Sequence, residues 1–357
     1  MQKTLDKTKL IGIIETCAAF SPEPIRSVAD RVIQEFVVDC PVVTTTDAAV
    51  LFLRSTINSF RFMISPEQFE RLERAEIYVT PAPICNAYAD PVDQLIVIFD
   101  GLLEAIAFRL ETSLLIAEVG KRLGKLTGED KISEQDFKVY ALRATLMPIH
   151  FMRSGKHLPR FIDKLSAELQ KDAYGGFSGM LLFILFHELG HLVLNHGAMI
   201  RSSRLELMPT LACSEMINTF KLYEFEADEY AYNAVLPEAR GAFIVNVWTA
   251  LKTFSEFESM SGIDEKMHPF TINRISRLNG LNKVLDDPII GAHARKIFEA
   301  DFRLMEMRLA GRDPRELAIP EEVLRKIYAE SFNKVIDEES KCREAVEILL
   351  KAYQATE

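Results

Sequence analysis

Residues 178–196 constrain this chain more than any other stretch. Met180-Leu181-Leu182-Phe183-Ile184-Leu185-Phe186 runs directly into His187-Glu188-Leu189-Gly190-His191, and Leu192-Val193-Leu194 follows. A helix over these residues is apolar on every side, so other elements have to cover it. Two imidazoles and a carboxylate inside such a helix are costly unless something pairs them.

The pattern His187-Glu188-x-x-His191 offers a pairing. Histidines four residues apart lie side by side on one helical face, where both can bind one zinc ion. Glu188, next to the first of them, is placed to take the proton of an attacking water. The alternative is a metal-free helix in which the histidines and the glutamate satisfy one another by hydrogen bonds. Gly197 is the expected helix stop.

Two histidines need a third protein ligand. The spacing HExxHxxGxxH fails, because Leu194 and Gly197 occupy the positions of its glycine and last histidine. His196 reads instead as a helix-end residue near the C-terminal dipole. The next helix, expected at 214–236, has an apolar face of Ile217, Phe220, Ala227, Ala231 and Ala234, and Glu224 falls inside that stripe. Glu224 is therefore the expected third ligand. Asp228, one turn later, is the expected acceptor for the N–H of a ligand histidine. Glu226 and Glu229 are expected to be solvated. The competing reading of this segment is an acidic surface helix with no metal role.

The rest of the chain is expected to be α+β and predominantly helical. Strand signals are confined to Ile77–Thr80 and Leu95–Phe99, with a proline-bearing edge segment at 82–91 between them. Helices are expected at about 22–36, 47–62, 102–123, 133–152, 158–169, 239–259, 270–280, 288–310 and 320–354. Ser65-Pro66 opens a short one. Gly175-Gly176 is the most linker-like point. The regions fall at 1–75, 76–108, 109–177, 178–282 and 283–357. A net charge of −10 argues against a nucleic-acid partner. Five scattered cysteines without a CxxC pair exclude a cysteine zinc site and suit a reducing, cytoplasmic setting. The longest apolar run, Met180 to Phe186, is too short for a membrane span.

Four separated elements resemble the HtpX and CAAX-prenyl-protease-like metallopeptidases (peptidase family M forty-eight). They are Asn86-Ala87-Tyr88-Ala89 with the following strand and Gly101-Leu102-Leu103, the HELGH at 187–191, Glu224 with Asp228, and His268-Pro269 with Arg274. The resemblance spans roughly 76–108 and 178–282. It implies a zincin-like (gluzincin) core with one zinc ion (Zn2+) per chain on His187, His191 and Glu224. It also implies an edge strand, Asn86–Ala89, that flanks the cleft and pairs with an extended substrate, and it sets His268 and Arg274 near the reacting groups, to stabilise the oxyanion or regulate access. The expected activity is zinc-dependent hydrolysis of internal bonds in a peptide or protein, with Glu188 as general base. The alternative is an inactive protease-like binding module with structural zinc, against which the presence of Glu188 argues. The inserted helical stretch, 109–177, is a candidate surface for a regulatory partner.

Overall fold

The computed structural model describes residues 7–19, 47–80, 84–128, 131–154, 156–196, 214–261, 273–275, 277–278 and 339–355. His268 and the helices expected at 22–36 and 288–310 lie outside the described residues, as do residues 320–338 of the helix expected at 320–354. The described elements run α1 (Lys7–Ala19), α2 (Asp47–Ser59), α3 (Pro66–Arg74), β1 (Glu76–Thr80), β2 (Ala87–Asp90), β3 (Leu95–Phe99), α4 (Asp100–Arg122), α5 (Glu134–Ser154), α6 (Ala167–Val193), α7 (Ser214–Asn233), α8 (Arg240–Ser261) and α9 (Glu339–Gln354). The fold is α+β and predominantly helical, with one small sheet among these residues.

Local chemistry explains several boundaries. Ser65 caps α3, its hydroxyl accepting from the Gln68 amide, with Pro66 at the first helical position. The sheet order is β1-β3-β2, with β3 parallel to β1 and antiparallel to β2. All five residues of β3 are buried, as suits a central strand covered on both faces. The turn from β2 to β3 is held by Asp90, whose carboxylate accepts from the amides of Val92 (3.0 Å) and Asp93 (3.4 Å). The expected edge segment therefore contains a true edge strand, β2, and Ala87 and Ala89 pack against the core around α6.

Two sequence expectations fail around α6. The helix expected at 158–169 is absent; this stretch holds only a single 3-10 turn at Ile162–Lys164 before Ser166 caps α6. Its backbone amides are taken by carboxylates of α4. Leu158 N–H donates to Glu104 and Phe161 N–H to Glu111, each at 3.1 Å, so they do not feed a helical ladder. Nor do Gly175-Gly176 break the chain, because α6 runs through them. Gly176 is a notch for a neighbouring helix: a side-chain carbon there would come within 3.0 Å of Leu110 on α4.

α6 lies at the centre of the larger core, with the sheet, α2, α7 and α8 around it. Trp248, Phe243 and Ile244 of α8 are wholly covered. A second core joins α4, α5 and α9 through Phe108, Leu115, Met147, Leu349 and Tyr353. Contrary to the expectation drawn from its seven-residue apolar run, α6 is long and apolar enough by length and composition to cross a membrane. However, 78% of its most apolar window is buried inside the protein, and a central core helix has this composition for the same physical reason.

Candidate functional site

The site forms where α6 crosses α7. Gly190 allows the crossing to be close. A side-chain carbon built on Gly190 would stand 3.1 Å from the Ala227 Cα and 3.2 Å from the Tyr230 Cβ. Ala227 and Ala231 on the facing side are fully buried and add little bulk. Phe220, Ala227 and Ala231 of the expected apolar face of α7 are thus turned inward, and Glu224, 9% exposed, lies with them.

Glu224 arrives beside the two histidines. His187 Nε2 and His191 Nε2 are 3.1 Å apart. Glu224 Oε2 lies 3.4 Å from the first, and Glu224 Oε1 lies 3.5 Å from the second. One ligand atom from each of the three residues falls within 4.8 Å of the others, a grouping able to hold a metal ion. The donor set fits zinc. Bonds of about 2.0–2.1 Å in a tetrahedron put ligand atoms about 3.3 Å apart; the two imidazole nitrogens are 3.1 Å apart, and each is approached at 3.4–3.5 Å by a different oxygen of Glu224.

Behind His187 stand Asp228 and Arg274. Asp228 Oδ1 is 2.9 Å from His187 Nδ1. Arg274 grips the same carboxylate, Nε to Oδ2 at 2.7 Å and Nη2 to Oδ1 at 2.6 Å, and its Nη1 is 3.6 Å from Glu224. Asp228 and Arg274 are 1% and 5% exposed, so this is a buried charged trio. Burial pushes the Asp228 carboxyl up, but Arg274 and then His187 outweigh it and hold the group below its ordinary range. Burial likewise pushes the His187 imidazole down. The bond to Asp228, followed by Glu224, overcomes that and holds it at about 10 in the metal-free protein.

Behind His191 stands His196, the residue expected at the end of the helix. α6 ends at Val193, earlier than Gly197, and Asn195 takes a positive φ of 56°. Asparagine tolerates this left-handed conformation, and the turn folds His196 back onto the helix. His196 Nδ1 is 2.9 Å from His191 Nδ1, and its Nε2 is 3.1 Å from Glu226 Oε2. Its ring stacks on Tyr223, with centroids 4.2 Å apart and planes at 11°. Burial, then the neighbouring His191, pushes His196 down to about 4. Glu226, expected to be solvated, keeps 41% of its side chain exposed and also partners this histidine. The sequence signal for this arrangement was Asn195-His196 immediately after the apolar run.

Glu188 is buried next to His187 on α6, and β2, which carries Ala87, Tyr88 and Ala89 of the expected edge segment, packs against the same helix.

Residues 159–292 match the family model of Peptidase U49. The span is under half of the chain, yet it holds His187, Glu188, His191, Glu224, Asp228 and Arg274 together. The match points to a peptidase, a hydrolase of peptide bonds. No curated protein and no solved structure matches the chain. The match also corrects the resemblance drawn from the motifs. Peptidase U49 is a family distinct from the HtpX and CAAX-prenyl-protease-like enzymes, and no match to the latter is found. The motifs encode the geometry of a histidine helix against a carboxylate helix, which unrelated chains can reach independently.

Proposed function

We propose that this chain is a zinc-dependent endopeptidase of the gluzincin type, with one zinc ion held by His187, His191 and Glu224 in a zincin-like core. One observation carries the reading: ligand atoms of two imidazoles and one carboxylate, from two helices, lie within 4.8 Å of one another in a buried setting. Two imidazole Nε2 atoms and the Glu224 carboxylate turned toward one point are the donor set that zinc takes. A zinc ion there would supply Lewis acidity toward the scissile carbonyl and toward the attacking water.

The chain's own groups do the rest. Glu188 accepts the proton of the attacking water and passes it to the leaving amine. Asp228 accepts from Nδ1–H of His187 and so directs the bare Nε2 toward the centre. Arg274 is committed to Asp228 through two nitrogens, so its role is to hold that carboxylate in place, not to meet the substrate oxyanion. β2 is the edge strand beside α6, and an extended peptide can add to it through Asn86–Ala89 by main-chain hydrogen bonds.

The test is cleavage profiling of a protein mixture by wild type and Glu188→Gln, with metal content measured on both. The reading expects new internal termini from wild type. For the variant it expects unchanged zinc and a loss of at least about 100-fold in rate, the lower end for a general base. Equal cleavage by the variant, or full activity of wild type after its metal is stripped, contradicts it.

A further inference from the structure

We infer that His196 and Glu226 position His191 for metal binding, as a second outer support matching the one that Asp228 gives His187. The inference rests on the zinc reading of the site and adds to it the residues that fix its second imidazole.

A ligand imidazole has two nitrogens, and the hydrogen bond made by one decides whether the other is bare. His191 directs Nε2 at the Glu224 carboxylate and Nδ1 at His196 Nδ1, 2.9 Å away. Only one of the two facing Nδ1 atoms can carry the shared hydrogen. Glu226 decides which. Its carboxylate accepts at His196 Nε2, 3.1 Å away, so the hydrogen of His196 sits on Nε2 and its Nδ1 is the acceptor. His191 then donates from Nδ1, and its Nε2 is left bare toward the centre. The chain of bonds fixes both tautomers.

The surroundings keep this relay in place. His196 is 3% exposed, and its ring is stacked on Tyr223. The left-handed Asn195 sets the return of the chain that presents it. Tyr223, Glu224, Glu226 and Asp228 all belong to α7, so one helix supplies the third ligand and anchors the supports of both histidines.

The experiment measures zinc affinity of the full-length protein by competition with a chromophoric chelator, together with the visible spectrum of the cobalt-loaded form. Three variants are compared with wild type. His196→Phe keeps a flat ring against Tyr223 and removes both nitrogens. His196→Gln offers one acceptor and one donor, as neutral histidine does. Glu226→Leu removes the acceptor itself from a side chain that is 41% exposed. His196→Phe is expected to weaken zinc binding by about 10–100-fold, the usual loss for an outer support, and to shift the cobalt bands. His196→Gln is expected to recover part of that loss, and Glu226→Leu to fall near the low end of the range. If His196→Phe does not fold, the decision passes to Glu226→Leu, where an unchanged affinity and spectrum overturn the inference. A folded His196→Phe with wild-type affinity overturns it too, while leaving the zinc site standing. Wild type that takes up no zinc overturns the proposed function and this inference with it.

Discussion

Gly190→Ala isolates the packing that makes the site. The added carbon would lie 3.1 Å from the Ala227 Cα, 3.2 Å from the Tyr230 Cβ and 3.3 Å from its Cδ1. Comfortable carbon contacts are about 3.5–4.0 Å, so α6 and α7 have to part locally by about 0.4–0.9 Å. The nearest obstacle is main chain and cannot rotate away. Overpacking of this kind costs about 1–3 kcal/mol, against about 1 kcal/mol gained by replacing glycine in a helix. The metal-free protein is thus destabilised by about 0–2 kcal/mol. Zinc binding suffers more, because ligand distances tolerate only about 0.2 Å and Glu224 moves with α7. We expect zinc affinity to fall at least about tenfold, equivalent to about 1.4 kcal/mol. Denaturant unfolding in chelator and zinc competition measure the two effects. Gly175→Ala is the control: it is exposed, with no neighbouring atom within 4 Å of the new carbon, and is expected to stabilise by up to about 1 kcal/mol with unchanged zinc affinity. Full-strength zinc binding by Gly190→Ala would refute the claim that this close approach builds the site.

Two further outcomes follow from the charged groups. Arg274→Ala strips the buried Asp228 carboxylate of its guanidinium and is expected to cost about 3–5 kcal/mol in denaturant unfolding; a loss below about 1 kcal/mol would show that the pair is not needed. His187 is held at about 10 without metal, so near neutral pH it is an imidazolium, and zinc has to expel its proton. Calorimetry in buffers of different ionisation heat is expected to record proton release, with zinc affinity rising as pH climbs toward 10; no release contradicts the Asp228 and Glu224 pairing. By linkage, because the folded value is raised, the stability His187 gives the metal-free protein is complete below about 6.5 and lost as pH rises through about 10.

Much of the ligand geometry was legible because it is local. His187 and His191 share a face by helical spacing, and Glu224 falls on the apolar stripe of its helix, so both follow from the 3.6-residue period. Ser65 was legible as a cap for the same reason. What stayed hidden depends on distant partners. Gly176 looks like a break until Leu110 is known to pack against it. Residues 158–161 look helical until Glu104 and Glu111 take their amides. His196 is five residues from His191 and off its face on a continuing helix; only the left-handed turn at Asn195 brings the rings together. The family was not legible from the motifs, because His187-Glu188-x-x-His191 with Glu224 and Asp228 specifies a site geometry that more than one peptidase family can carry.

Metal analysis of the purified chain against Glu224→Ala tests the shared-cation claim most directly. The account predicts one zinc ion per wild-type chain and far less than one in the variant, with the two proteins equally folded. A wild type without zinc, or a Glu224→Ala protein that retains a full complement, contradicts it.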